Sequence, residues 1–442
     1  MARTFANFMF SGKTHAALEL LANSGKGGVL RLEELVATNG SDAKSVRDTL
    51  KCKHPTSQPA AQDSIMPGTP PEIHSVIFDS IDARLIRSMA LKTKGAAGPS
   101  GLDAYAWRRL CTVFKSTSNS LCQALADVAK RLCSVLVDPQ AIAPFLGCRL
   151  IALDKCPGVR PIGIGDTARR IVAKAVLQIT RGDVQEATGS SQLCASQIAG
   201  CEAAVHYIQG SFHDSETEAA LLVDATNAFN SVNRMAALHN IRLLCPSMAT
   251  ILINCYRSPT ELFIDGDIIL SQEGTTQGDP LAMPMYALAT LPLIRRLTFD
   301  VKQVWYADDA ASTGSLENLR KWWDEVSSKG PLYGYFANAS KTWLVVKDEF
   351  RDAGNDLFKG TGVKITSEGR PHLGAALGCN AYVSQFVSEK ISEWGKELDL
   401  LSAIAKTQPH AAYAAYTHGL TSICLIPHQT LAPGYRYWKT LC

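Results

Sequence analysis

Five consecutive apolar residues, Ala219-Ala220-Leu221-Leu222-Val223, run directly into an aspartate, Asp224. A run without a polar face predicts a strand buried on both sides, Ala219–Val223. The pattern recurs downstream, where Val304-Trp305-Tyr306-Ala307 ends on the pair Asp308-Asp309. Carboxylates at the tips of core strands are electrostatically costly. Two unit charges about 4 Å apart repel by about 4 kcal/mol at an effective dielectric near 20. A chain that keeps them there needs either a solvated turn or a bound cation. Each site alone is a weak signal, because Asp-Asp pairs are common in turns.

Hydrophobic spacing fills in the rest of a mixed fold. It predicts helices near Thr14–Ala22, Ala104–Phe114, Leu121–Val135, Asp166–Ile179, Met235–Leu244, Leu316–Ser327 and Ser384–Ala405. Asp166 is placed to cap its helix, since a carboxylate there accepts bonds from the first-turn amides. Strands are predicted at Arg149–Leu153, Val159–Ile164, Val301–Trp305 and Trp343–Val346. Leu262–Ile264 and Ile268–Leu270 flank Asp265-Gly266-Asp267, a hairpin signal because glycine accepts positive φ. The polar stretch His54–Pro71 reads as a linker or loop. Short strands mixed with helices give the class α+β, with an antiparallel sheet rather than a doubly wound one.

Composition sets further bounds. A chain of 442 residues holds two to four domains or subdomains, and 46% hydrophobic against 19% charged residues excludes a disordered chain. The longest nearly apolar run, Leu281–Ile294, is interrupted by Pro284, Thr290 and Pro292 and is too short to cross a bilayer, so no membrane partner is expected. The N-terminus, Met1–Phe5, lacks the apolar core of a signal peptide. Thirteen cysteines with no C-x-x-C support neither a disulfide framework nor a zinc ribbon. Reduced, mostly buried thiols in an intracellular protein, nuclear or cytoplasmic and not secreted, are the expectation. Gly12-Lys13-Thr14 mimics the end of a phosphate-binding loop, but Asn7 stands where the first glycine is required. The net charge of +3 argues against a nucleic-acid binder until it is divided. Arg84–Gly182 holds 16 Lys and Arg against five Asp and no Glu, a local +11, leaving −8 for the remainder. Such a block is a phosphate-binding surface or a solvated helix face.

Between the two acidic strand ends lies Gly274-Thr275-Thr276-Gln277-Gly278-Asp279-Pro280-Leu281, whose glycines permit close backbone approach. If Asp224 and Asp308 come from neighbouring strands, their carboxylates can bridge two Mg²⁺ ions. Such a pair activates an attacking hydroxyl and stabilises a departing phosphate oxygen.

Taken in order, Val223-Asp224-Ala225-Thr226-Asn227-Ala228-Phe229, Thr276-Gln277-Gly278-Asp279-Pro280-Leu281 and Tyr306-Ala307-Asp308-Asp309 resemble motifs A, B and C of reverse transcriptases. Those of non-LTR retrotransposons are the nearest match, with group II introns more distant. The resemblance extends from about Gly95 to Asn380. Gly98-Pro99-Ser100-Gly101-Leu102-Asp103 is similar to the G-P-x-G-x-D element ahead of the fingers, and Arg160-Pro161-Ile162 to the fingers R-P-I/L. Gly334–Thr342 is similar to motif D, and His372-Leu373-Gly374 to the primer grip.

The resemblance implies an RNA-directed DNA polymerase with a right-hand architecture: fingers, an antiparallel palm and a short helical thumb. An N-terminal extension (1–83), basic fingers (84–218), palm (219–375) and a thumb (376–442), short or truncated as in a retroelement fragment, are expected. It implies Asp224, Asp308 and Asp309 as ligands of two Mg²⁺, with Mn²⁺ as a substitute. Lys155, Arg160, Ala228, Phe229, Gln277 and Gly278 would contact the nucleotide, with Phe229 in the steric-gate position that disfavours a ribose 2′-hydroxyl. Lys341 matches the motif D lysine that protonates departing pyrophosphate, with an ordinary surface lysine as the alternative. His372, Leu373 and Gly374 would grip the primer. The implied partners are an RNA template, a DNA or RNA primer and dNTPs. RNA-directed RNA polymerases fit less well, since they usually carry an acid where Phe229 stands. A binding scaffold descended from a polymerase would generally have lost the carboxylates that are all present here.

Overall fold

The computed structural model describes residues 1–21, 28–38, 41–155, 157–297 and 299–420. The fold is mixed, with helices packed around several small sheets. A short hairpin of β1 (Leu35–Thr38) and β2 (Ser41–Ser45) precedes the long hairpin of β3 (Cys148–Asp154) and β4 (Val159–Gly165). The apolar run is β5 (Ala219–Val223), buried throughout. A third hairpin, β6 (Thr260–Ile264) and β7 (Asp267–Ser271), turns at Asp265 and Gly266, both at positive φ. That is the geometry the Asp-Gly pair predicts, with Asp267 already in the returning strand.

Strands β8 (Lys302–Tyr306), β9 (Asp309–Gly314), β10 (Trp343–Val346) and β11 (Lys364–Thr366) join β5 in a five-stranded sheet ordered β11-β10-β5-β9-β8. Alternation along β5 divides its side chains between two cores. Ala219, Leu221 and Val223 enter the main core, while Ala220 and Leu222 enter a second with Ala204, Ile208 and Phe212 of the helix Gly200–Phe212. Both faces are therefore covered, which is why the run lacks a polar face. The helix Leu316–Lys329, capped by Ser315, turns Leu316, Leu319, Trp322, Trp323 and Val326 toward the main core at helical spacing. The tight hairpin of β12 (Gly369–His372) and β13 (Ala375–Gly378) packs near β10.

The antiparallel expectation holds across β10-β5-β9-β8 and fails at two pairings. β11 joins β10 in parallel, and β6 joins β3 in parallel within the second sheet, β4-β3-β6-β7. The helix capped by Asp166 runs on to Thr188, beyond the predicted Ile179. The stretch His54–Pro71 is not a free linker. Its backbone is held by side chains from elsewhere: Asn233 donates to Gln58 and Pro59, Asn240 donates to Ser64 O and accepts from Met66 N, and Tyr333 donates to Asp63 O. The rest of residues 1–83 divides among several neighbours, with Phe78 and Ile81 in the main core. Phe5, Ala17 and Leu21 pack with Leu401, Ile404 and Ala412 near the C-terminus, whereas Leu32, Val46 and Leu50 pack under β3, β4 and β6. The described cysteines are all free, six of them buried, and no helix among the described residues is long and apolar enough to cross a membrane.

Two contacts hold the second sheet against the Gln277–Asp279 loop. Gly163 N donates to Gln277 O (2.7 Å), and a Cβ on Gly278 would lie 2.6 Å from Gly163 O, so only glycine fits there. Beside them Arg169 Nη2 meets Asp279 Oδ2 at 2.5 Å, with side chains only 3% and 2% exposed. Tyr256 donates to the same oxygen at 2.6 Å. Removing one partner of a buried pair strands the other charge. Asp279→Asn, nearly equal in volume, is expected to lower stability by about 3–5 kcal/mol, read from urea unfolding. An unchanged midpoint would mean that the pair contributes nothing.

Candidate active site

Asp224 follows the last residue of β5, and the chain then departs from the sheet. Asn227 adopts a left-handed conformation (φ 52°), opening the short helix Ala228–Ser231 that carries Phe229. Backbone bonds fix this turn on its other side: Thr226 N donates to Phe336 O, and Asn338 N to Asp224 O (both 2.8 Å). Gly274 lets the next loop close on it, since a Cβ there would lie 2.2 Å from Phe229 O. The Phe229 ring stacks on buried Tyr286, with centroids 4.4 Å apart and planes at 23°.

Asp308 and Asp309 do not simply follow a strand, as the sequence suggests. Ala307 and Asp308 form the two-residue turn between β8 and β9, and Asp309 opens β9 opposite Tyr306. β9 pairs with β5, so the turn comes close to Asp224. Ala307 sits at φ 55°, a conformation that costs a non-glycine residue roughly 1–2 kcal/mol. Gln192, fully buried, holds it there. Gln192 Nε2 donates to Ala307 O (3.0 Å), while Gln192 Oε1 accepts from Ala307 N (2.9 Å). Sequence reasoning missed Gln192, a lone polar residue in a loop whose role depends on the bridge it forms to Trp305.

The expected residues gather around two neighbouring cavities. One, of about 390 Å³, is lined by Lys155, Arg160, Ala228, Phe229, Gln277, Gly278 and Asp308. Lys53 and Asn227 line it as well, and neither was singled out from the sequence. The other, of about 480 Å³, is lined by Asp224, Asp309, Lys341, His372 and Leu373, with Trp343, Lys364 and Arg370. Leu373 and Gly374 form the β12–β13 turn, both at positive φ, and Gly374 is not among the lining residues. Arg370 lies 3.7 Å over the Trp343 ring, so a cationic, aromatic wall faces the acids. Burial pulls His372 down to about 4, leaving a neutral imidazole whose Nε2 has no hydrogen-bond partner among the described residues.

The electrostatics follow from crowding. Burial, then the neighbouring Asp308 and Asp224, push Asp309 up to about 7. Burial and Asp224 raise Asp308, while Lys155 and Arg160 oppose the shift. Lys341 Nζ stands 3.4 Å from Asp224 Oδ2. Mutually repelling carboxylates of this kind suit a hard divalent cation, the donor chemistry of Mg²⁺. Among the described residues no three His, Cys, Asp or Glu side chains converge to hold an ion unaided. Mg²⁺ is commonly held by one or two carboxylates completed by substrate phosphates, so aspartates divided between adjoining cavities fit a cation that arrives with phosphate.

The +11 block is only partly available to a ligand. Arg87, Arg108, Arg149, Arg170 and Arg181 donate to backbone carbonyls, and Arg169 is committed to Asp279. Lys155 and Arg160 are the members of the block that reach the first cavity. A scan against protein-family models and a search of curated proteins return no match for this chain.

The Gln192 contact predicts coupling. Gln192→Ala strands the Ala307 N–H and C=O and releases the turn, whereas Ala307→Gly removes the conformational cost. In a double-mutant cycle, Gln192→Ala is expected to cost about 1 kcal/mol less in the Ala307→Gly background. Strict additivity would show that the contact does not hold the turn.

Proposed function

We propose that the chain is an RNA-directed DNA polymerase that adds a dNTP to a primer 3′-hydroxyl on an RNA template. The observation that carries this reading is the first cavity. Residues as far apart in sequence as Lys155, Phe229, Gln277 and Asp308 meet there; the resemblance implied a nucleotide contact for the first three and a metal ligand for Asp308.

In this reading Arg160 and Lys155 bind the triphosphate oxygens, and the guanidinium fork suits bidentate contact. Gln277 and Gly278 pack against the nucleotide. The Phe229 ring, held flat by Tyr286, occupies the space a 2′-hydroxyl would need. Asp224, Asp308 and Asp309 are the groups that would hold Mg²⁺. Two such ions, when bound, supply activation of the 3′-hydroxyl and neutralisation of the leaving group. The protein's own share is positioning in a site of fixed charges. Lys341, with Nζ beside Asp224, is assigned to the departing pyrophosphate. The β12–β13 turn with His372 and Leu373 borders the second groove, where the primer end would lie. The α+β palm, fingers and thumb of the right-hand architecture belong to the same proposal.

Primer extension on an RNA template with Mg²⁺ or Mn²⁺ tests it. Wild type is expected to extend and Asp308→Ala to lose at least 100-fold in rate, roughly 2.7 kcal/mol or more of transition-state stabilisation. If wild type fails to extend with either ion, the enzyme reading falls and a nucleic-acid-binding scaffold remains. Phe229→Ala is expected to admit ribonucleotides, narrowing the dNTP preference by roughly 10-fold or more, about the discrimination a shape change in a pocket provides. An unaltered preference would remove Phe229 from the role of gate.

A further inference from the structure

A cation from the N-terminal region reaches the first cavity. Lys53 is the last residue of the helix Val46–Lys53, about a hundred residues ahead of Lys155, and it lines the same cavity as Lys155, Arg160 and Asp308. Its backbone is held at the site: Asn227, in the turn after Asp224, donates from Nδ2 to Lys53 O at 2.9 Å. Just beyond, Gln58 N donates to Glu273 Oε1 at 2.6 Å, and Glu273 Oε2 accepts from Arg234 N. The segment is therefore tied on both sides of the cavity to the loops that carry Phe229 and Gln277.

The Lys53 ammonium is half-buried and has no carboxylate partner among the described residues. Burial lowers its proton affinity, and the charges that lower it further are Lys155, Lys341 and Arg160. Lys155 and Arg160 share the cavity with Lys53 while Lys341 lines the adjoining one, and like charges this close are unfavourable until an anion enters.

We propose that Lys53 is a third cationic contact for the triphosphate of the incoming nucleotide, delivered by the N-terminal segment rather than by the β3–β4 hairpin. This rests on the polymerase reading, which supplies the nucleotide. The contact would tie nucleotide binding to the docking of residues 53–66, so the triphosphate is held from both walls of the cavity.

Single-nucleotide incorporation tests this with Lys53→Met, which keeps the stem and removes the charge, and Lys53→Arg, which keeps the charge. Lys53→Met is expected to raise the KM for dNTP roughly 10-fold or more, with kcat within about threefold and the KM for primer–template unchanged. Lys53→Arg should recover most of the loss. Without nucleotide, Lys53→Met should melt at the same temperature or higher, because it removes like-charge repulsion; a purely structural lysine would lower it. An unchanged KM in Lys53→Met overturns the proposal. Titration with tripolyphosphate, without metal or template, separates the two levels. Weaker binding in Lys53→Met supports the contact even where wild type extends no primer, a result that would sink the polymerase reading alone. Equal binding in wild type and Lys53→Met overturns the contact.

Discussion

Everything at the site depends on how closely the β3–β4 hairpin approaches the Gln277–Asp279 loop. Gly163 and Gly278 leave out the two Cβ atoms that would hold these backbones apart, and Gly163 N bonds directly to Gln277 O. The buried Arg169–Asp279 pair lies next to that contact and anchors the loop to the helix Thr167–Thr188. Without this approach, Arg160 and Gln277 would not line one cavity. The site is thus built from backbone proximity and one buried ion pair, on which the more exposed cations and acids are arranged.

Charge around the site is balanced locally rather than summed over the chain. The whole-chain value of +3 conceals a basic block, but much of that block bonds to carbonyls of its own fold. What faces the two cavities is a set of opposed charges: Lys53, Lys155, Arg160, Lys341, Lys364 and Arg370 against Asp224, Asp308 and Asp309, with Asp279 already paired to Arg169. The acids repel one another, which burial aggravates, and so do the cations. Each half of the set is relieved by a ligand of opposite sign. A nucleotide triphosphate with its divalent cation provides both signs at once.

Features with a local cause were legible in the sequence. β5 was visible because a strand covered on both faces has no polar residue, and the β6–β7 turn because Asp-Gly tolerates positive φ at both positions. Asp166 was visible as a cap because its side chain bonds within its own first turn. Features that arise from long-range pairing were not. Nothing local marks the parallel pairings β10–β11 and β3–β6, since a strand's own residues read the same whichever way its partner runs. The aspartates, Lys155 and Arg160 stand out in the sequence, whereas Gln192 and Lys53, which join the same region, do not. Gln192 acts through a turn more than a hundred residues away, and Lys53 through a backbone bond from Asn227. His54–Pro71 looked like a linker because its own composition is polar, whereas its anchors are asparagines on later elements.

Photo-crosslinking measures the central claim, that the first cavity is a nucleotide site, most directly. An azido-dATP probe would be irradiated with the full chain, Mg²⁺ and a primer on an RNA template, and the adducts mapped by peptide mass spectrometry. The account predicts adducts on the cavity lining, in peptides containing Ala228–Phe229, Gln277–Met283 or Lys155–Ile162, displaced by unlabelled dATP. Adducts confined to other surfaces, or adducts that unlabelled dATP does not displace, would contradict it.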